Sequence, residues 1–251
     1  MRPHTALVHS RARVSQRYAL MPLEGYPFSK LPTWPDAEVR VLASPALGAN
    51  FAQFLIDLPA GGRGQFPADE RIETFCYVVS GKGEHREGTR AKRQIVAGSF
   101  SLTPPRVANE FCASEPMRLM IFQKRYQPSP GIPLFSALHG NEHEVVAEPW
   151  AETDKIKLQT LVPDDLQFDM AMNIFTFTPG FGLPIVETHV MEHGLLFLQG
   201  KGVYQLGDEW MEVQKDDFIW MGPFCPQSFY ATGEQPAKYI YYKDVNREIG
   251  L

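Results

Sequence analysis

Residues 187–202 read ETHVMEHGLLFLQGKG, and two incompatible folds compete for them. On a helix, His189-x-x-Glu192-His193 is the zinc-protease pattern H-x-x-E-H. On extended chain, Glu187, His189 and His193 share one face, because side chains alternate along a strand and even spacings coincide. Glu192 then points away. The flanks favour the second reading. Pro184 lies three residues before Glu187, Gly194 follows His193 at once, and Gly200-Lys201-Gly202 closes the stretch with a turn. Thr188 and Val190 are β-branched, which suits strands better than helices. A bend near Met191 would loosen the parity without breaking it. Isolated histidines here would be ordinary half-buried residues; three donors on one strand face point to a metal site.

The rest of the chain uses the same vocabulary. FAQFLIDLPAGG (51–62), MRLMIFQKRY (117–126), MNIFTFTPGFG (172–182) and KYIYYKD (238–244) are short, rich in Phe, Tyr, Ile and Val, and bounded by turn residues. The 21 prolines and 20 glycines punctuate a chain with no long helical periodicity. That pattern predicts an all-β sandwich or barrel. The chain also repeats itself. YVVSGKG (77–83) matches LFLQGKG (196–202), GSFSLTPP (98–105) matches DDFIWMGP (216–223), and RLMIFQK (118–124) matches KYIYYKD (238–244). The three offsets are 119, 118 and 120 residues. Two copies of one β unit are therefore expected, over 46–126 and 166–251, the second including a C-terminal tail. Residues 1–45 read as an N-terminal arm that packs on the core or on a neighbouring subunit, and the Pro-rich 127–165 as a linker.

Composition narrows the function. With 29 acidic and 24 basic residues the formal charge is −5, and the basic residues are scattered, so no nucleic-acid footprint is expected. RARVSQR (11–17) is basic but short and reads as a solvated arm. No apolar run approaches the roughly 20 residues of a membrane span, and the start has no apolar secretory core. Cys76, Cys112 and Cys225 are far apart and odd in number. They fit a reduced, cytoplasmic chain, with Cys76 and Cys112 as buried small hydrophobes.

The strand reading of the opening stretch resembles the cupins, small β-barrels with two metal-site motifs. The first, G-x5-H-x-H-x3/4-E-x6-G, corresponds to Glu187-x-His189-x3-His193-x6-Gly200, with Glu and His exchanged at its ends. The second, G-x5-P-x-G-x2-H-x3-N, starts at Asp216 and places Gly222 at the proline and Gln227 at the histidine. In the first copy the same positions map to Ala68, Glu70, Thr74 and Asn109. No histidine survives there, and Glu73 is one residue out of register, which turns its side chain to the other face. The first copy is therefore expected to hold no metal.

Among the bicupins, tandem pairs of such barrels, the chain resembles the (S)-ureidoglycine aminohydrolase family over most of its length. The shared strings include RYALMPLEG (17–25), LASPALGANF (42–51), IETFCYVVSGKG (72–83), ETHVMEHG (187–194), GKGVYQLGDEW (200–210), DDFIWMGPFCPQ (216–227) and YIYYKDVNR (239–247). The resemblance implies hydrolysis of (S)-ureidoglycine to (S)-ureidoglycolate and ammonia in allantoin degradation, by a homo-oligomer. It implies one Mn²⁺ per chain on Glu187, His189, His193 and Gln227, with Fe²⁺ or another divalent metal possible. It implies substrate contacts at Glu187, Tyr204, Tyr239 and Lys243, with Glu187, Tyr239 and Lys243 carrying the chemistry. The donor set agrees: two imidazoles, a carboxylate and an amide oxygen, with no thiolate, suit Mn²⁺ or Fe²⁺ better than structural zinc. Asp216 replaces a turn glycine, which puts that turn's shape in doubt. Another metal-dependent bicupin enzyme, such as a dioxygenase or isomerase, and a non-catalytic small-molecule-binding bicupin remain alternatives at this level.

Overall fold

A computed structural model describes residues 11–247. Among them there is no α-helix, only short 3₁₀ turns. In chain order the strands are β1 (Arg13–Val14), β2 (Tyr18–Met21), β3 (Glu38–Ala43), β4 (Phe51–Leu58), β5 (Arg63–Phe66), β6 (Ile72–Ser80) and β7 (Lys82–Glu87). Next come β8 (Arg93–Val96), β9 (Ser99–Thr103), β10 (Asn109–Ala113), β11 (Met117–Arg125), β12 (Leu138–Asn141), β13 (Glu148–Trp150) and β14 (Thr153–Thr160). The last are β15 (Met170–Phe177), β16 (His193–Gln199), β17 (Lys201–Leu206), β18 (Glu209–Gln214), β19 (Phe218–Met221), β20 (Gln227–Thr232) and β21 (Ala237–Asp244).

These strands form two compact barrels. The first comprises Pro27–Val145, Leu161–Asp169 and, of the described residues at the chain's end, 246–247. Its sheets run β12-β9-β6-β11-β4-β3 and β5-β10-β7-β8. The second comprises residues 11–26, Val146–Thr160 and Met170–Val245. Its sheets run β1-β2-β19-β16-β21-β15-β14-β13 and β18-β17-β20. Every pairing is antiparallel.

The segment boundaries differ from the sequence reading. Within 1–45, β1 and β2 extend the second barrel at β19, whereas β3 pairs with β4 in the first. Within 127–165, β12 joins β9 of the first barrel, while β13 and β14 widen the second. These strands sit at or near sheet edges. Half-open strands need no strict alternation of apolar residues; β14 buries Ile156 fully and little else. Part of the basic arm is also engaged: the Arg11 guanidinium pairs with both oxygens of buried Asp217.

The repeated glycines have a common cause. Gly81 and Gly200 adopt left-handed backbone (φ 86° and 72°), and a Cβ on either would overlap the carbonyl of Pro116 or Pro236. At Gly83 and Gly202 a Cβ would overlap the facing strand. Only glycine meets both demands. Asp216 stands where the first copy has Gly98, and it holds the same left-handed backbone (φ 70° against 83°). The turn is thus retained despite the replacement.

Each barrel closes over one core. Inward residues of the second include Phe175, Phe177, Leu195, Phe197, Ile219 and Phe229; those of the first include Ile56, Cys76, Val78, Phe111, Leu119 and Ile121. Each such side chain contributes roughly 1.5–3 kcal/mol by leaving water. On β6 the inward face is Thr74-Cys76-Val78, so Glu73 lies on the other side. It is fully buried beside Lys124, whose Nζ is 3.6 Å from Glu73 and 2.6 Å from Asp169. Burial, reinforced by Asp169, holds the Glu73 carboxyl well above the usual carboxylate range. Cys76 and Cys225 are buried and Cys112 is half-buried; all three are free thiols.

Candidate active site

The opening stretch is extended chain, with a bend at Val190. Glu187 and Gln227 form an isolated antiparallel bridge, their amides donating to each other's carbonyls at 2.8 and 2.9 Å. The Phe224 amide donates to the His189 carbonyl at 2.7 Å. His193 then opens β16. Glu192 is buried on a different side: Trp220 Nε1–H donates to its carboxylate at 2.7 Å, and its own amide donates to Asp244. The protease pattern is therefore excluded by backbone and by side-chain direction.

Glu187, His189, His193, Tyr204, Gln227, Tyr239 and Lys243 all line one cavity of about 290 Å³ in the second barrel. The ladders explain why. His193 stands opposite Lys243, and Phe197 opposite Tyr239, on β16 and β21, so alternate residues of two neighbouring strands face inward. Tyr204 and Gln227 meet on the facing sheet, where the Tyr204 hydroxyl donates to Gln227 Oε1 at 3.2 Å. Tyr204 and Tyr239 also share a hydrogen bond, and burial raises both phenols above their ordinary value. They stay neutral.

The geometry of the histidine pair is compatible with a cation site. His193 Nδ1 is 2.8 Å from the Tyr242 carbonyl. A carbonyl only accepts, so Nδ1 carries the proton and Nε2 keeps a bare lone pair. Burial pushes this imidazole down to about 3, so it remains neutral, as a ligand must be. His193 Nε2 lies 3.2 Å from His189 Nε2, and the Gln227 amide nitrogen 3.0 Å from that same atom. His189 Nε2 cannot both donate to His193 and accept from Gln227. Two bonds of about 2.1 Å at right angles around an ion separate their donors by about 3 Å, close to the spacing seen. The donor set therefore fits a divalent metal. For Gln227 to present its oxygen the amide must turn over, which the Tyr204 hydroxyl permits because it both donates and accepts. Among the described residues no three His, Cys, Asp or Glu side chains are gathered as a cation cluster.

Sequence reasoning missed part of the wall. Trp150 and Leu158 come from strands read as linker, and Asn173 from β15. Asn173 had a signal: it is the polar residue in phase with inward Phe175 and Phe177. In the first barrel the ladder sets Phe66, not Ala68, opposite Asn109 at the position of Glu187 opposite Gln227. Asn109 Oδ1 is 2.9 Å from His85 Nε2, Glu70 pairs with Arg106 on the surface, and Thr74 accepts from Gln123.

Two tandem antiparallel barrels, one with imidazoles and an amide converging in its mouth, define a bicupin. A family model described as Cupin domain matches residues 173–242. The (S)-ureidoglycine aminohydrolase of Escherichia coli (strain K12) is 34% identical over 250 residues, 98% of this chain and 95% of that protein. Its namesake in Arabidopsis thaliana is 31% identical over 243 residues, 95% of this chain and 79% of the relative. The crystal structure of protein Ylba from E. coli superimposes with a TM-score of 0.87 at 30% identity, covering 99% of this chain and 100% of that one. The chain belongs to the (S)-ureidoglycine aminohydrolase family.

Proposed function

We propose that this protein hydrolyses (S)-ureidoglycine to (S)-ureidoglycolate and ammonia in allantoin degradation, the reaction for which its relatives are named. The observation that supports it best is that seven side chains from separate parts of the sequence line one cavity. Glu187, His189, His193 and Gln227 would hold Mn²⁺, which when bound supplies a Lewis acid and a template for the substrate carboxylate. Lys243 offers a point charge to an anionic group. The Tyr239–Tyr204–Gln227 chain positions the amide. As neutral phenols, Tyr204 and Tyr239 serve as hydrogen-bond donors rather than bases. Glu187 is the only carboxylate among the described residues lining the cavity. It takes the proton from the attacking water and returns it to the departing amine, so the C–N bond breaks and ammonia leaves. Ammonia release from freshly prepared ureidoglycine by the manganese-loaded enzyme tests this; no release above the metal-free blank would refute it.

The same reading makes the protein a cytoplasmic homo-oligomer. Exposed Ile185, Val186, Phe224 and Trp210 supply apolar surface of the sort that subunit contacts cover. A monomeric mass by light scattering at micromolar concentration would count against it.

A further inference from the structure

The cavity wall holds an acceptor that the chain itself leaves unsatisfied. Asn173 on β15 is 6% exposed, and its Oδ1 is buried with no hydrogen-bond partner among the described residues. Such an atom has lost its water without replacement, and it calls for a specific explanation. Its amide nitrogen is committed, donating to the Tyr241 hydroxyl oxygen at 3.3 Å. That bond decides which end of the amide is left over. Having accepted there, the Tyr241 hydroxyl still has its own hydrogen to give. Its ring is held in place, stacked on Phe175 at 5.5 Å and edge-on to His193 at 5.6 Å. Asn173 and Tyr241 face each other directly across β15 and β21, and both line the cavity. A buried acceptor and a half-buried donor thus stand side by side.

That pair complements the edge of a urea, which sets an N–H beside a C=O. We propose that Asn173 and Tyr241 recognise the ureido end of the substrate, Asn173 Oδ1 accepting from the terminal NH₂ and Tyr241 donating to the ureido oxygen. This assignment rests on the proposed substrate. The ladder sets the scale. Lys243 lies two residues along β21 from Tyr241, about 7 Å at 3.3–3.4 Å per residue. A carboxylate and a ureido group joined through one carbon bridge such a span, so one end meets Lys243 and the other meets the Asn173–Tyr241 pair.

The test uses two stable ligands of equal shape, N-carbamoylglycine and N-acetylglycine, in which a methyl group replaces the terminal NH₂. Neither carries the amino leaving group, so binding to the full-length metal-loaded enzyme can be followed by calorimetry. The wild type should bind N-carbamoylglycine at least about tenfold more tightly, since the acetyl analogue leaves Oδ1 unpaired. Asn173→Leu, which keeps the branched shape without the polar atoms, should bind the two within about threefold of each other. Tyr241→Phe should weaken both ligands alike, because both keep the carbonyl, and preserve the preference. Equal binding of the two ligands by the wild type overturns the assignment whether or not the variants fold, and so does an unchanged preference in a folded Asn173→Leu. Turnover of (S)-ureidoglycine by the same preparation separates the two levels. Turnover without the preference sinks only the Asn173–Tyr241 pair, whereas the preference without turnover sinks only the proposed reaction.

Discussion

Replacing Lys243 with methionine tests the cavity's charge while keeping its shape. Lys243 is half-buried, lines the cavity, and stands opposite His193 on the β16–β21 ladder. It has no ion-pair partner among the described residues. A cationic head without a counter-charge is poorly stabilised once water is displaced, so an anionic ligand is its natural partner. Breaking a buried charge pair costs about 2–5 kcal/mol. Lys243 is only half-buried, so solvent screening places the loss near the lower end, about 2 kcal/mol. At 1.4 kcal/mol per decade that is about 30-fold in kcat/KM. Methionine keeps the apolar stem, so manganese content and melting temperature should stay at wild-type values. The assay is steady-state ammonia release from fresh (S)-ureidoglycine, with metal content measured on the same sample. A Lys243→Met enzyme within threefold of wild type would show that the lysine is no more than a rim residue.

His189→Ala should lower metal affinity at least about tenfold, and elemental analysis of the loaded wild type should give one metal per chain; two per chain would show that the first barrel also binds. Trp220→Phe removes the hydrogen bond to buried Glu192 and should cost about 1–3 kcal/mol of stability; an unchanged denaturation midpoint would contradict the role given to that bond. Burial depresses His85 to about 4, below its ordinary 6.5, so the unfolded chain takes up a proton there before the folded one does. His85 therefore contributes stability that is complete above pH 6.5 and lost as pH falls towards 4. His85→Gln should flatten the melting-temperature profile across that window, and an equally steep profile would assign the acid sensitivity elsewhere.

Strand identity and the two-copy plan were legible because turn glycines and aromatic runs recur at matched spacings. The GKG repeat in particular marks a left-handed turn pressed against a carbonyl in both copies. Of the expected site residues, Glu187, His189 and His193 were legible from parity along extended chain, which puts Glu192 aside; Gln227 was legible from motif spacing, and Tyr204, Tyr239 and Lys243 only from the family resemblance. The edge strands were not legible. β13 and β14 carry little burial, so no alternation betrays them, and Trp150 and Leu158 reached the cavity unannounced. Asn173 escaped because a single polar residue in an apolar strand looks like an interruption until its partner, Tyr241, is known. The counterpart of Glu187 in the first barrel shifted from Ala68 to Phe66 because a constant offset takes no account of the differing connections before each ladder.

The pairing of β2 with β19 also dictates when the second barrel can form. Tyr18 pairs with Met221, and Met21 with Phe218, so a strand made early waits for one made about two hundred residues later. At roughly 5–20 residues per second on the ribosome, that wait is on the order of 10–40 s. During it, Ala19 and Leu20, fully buried in the finished barrel, can pair only with the two-residue β1. Closing so long a loop also slows the final search. The active-site barrel therefore matures only after nearly the whole chain has emerged, which makes early release of the nascent chain a direct route to an inactive, aggregation-exposed species.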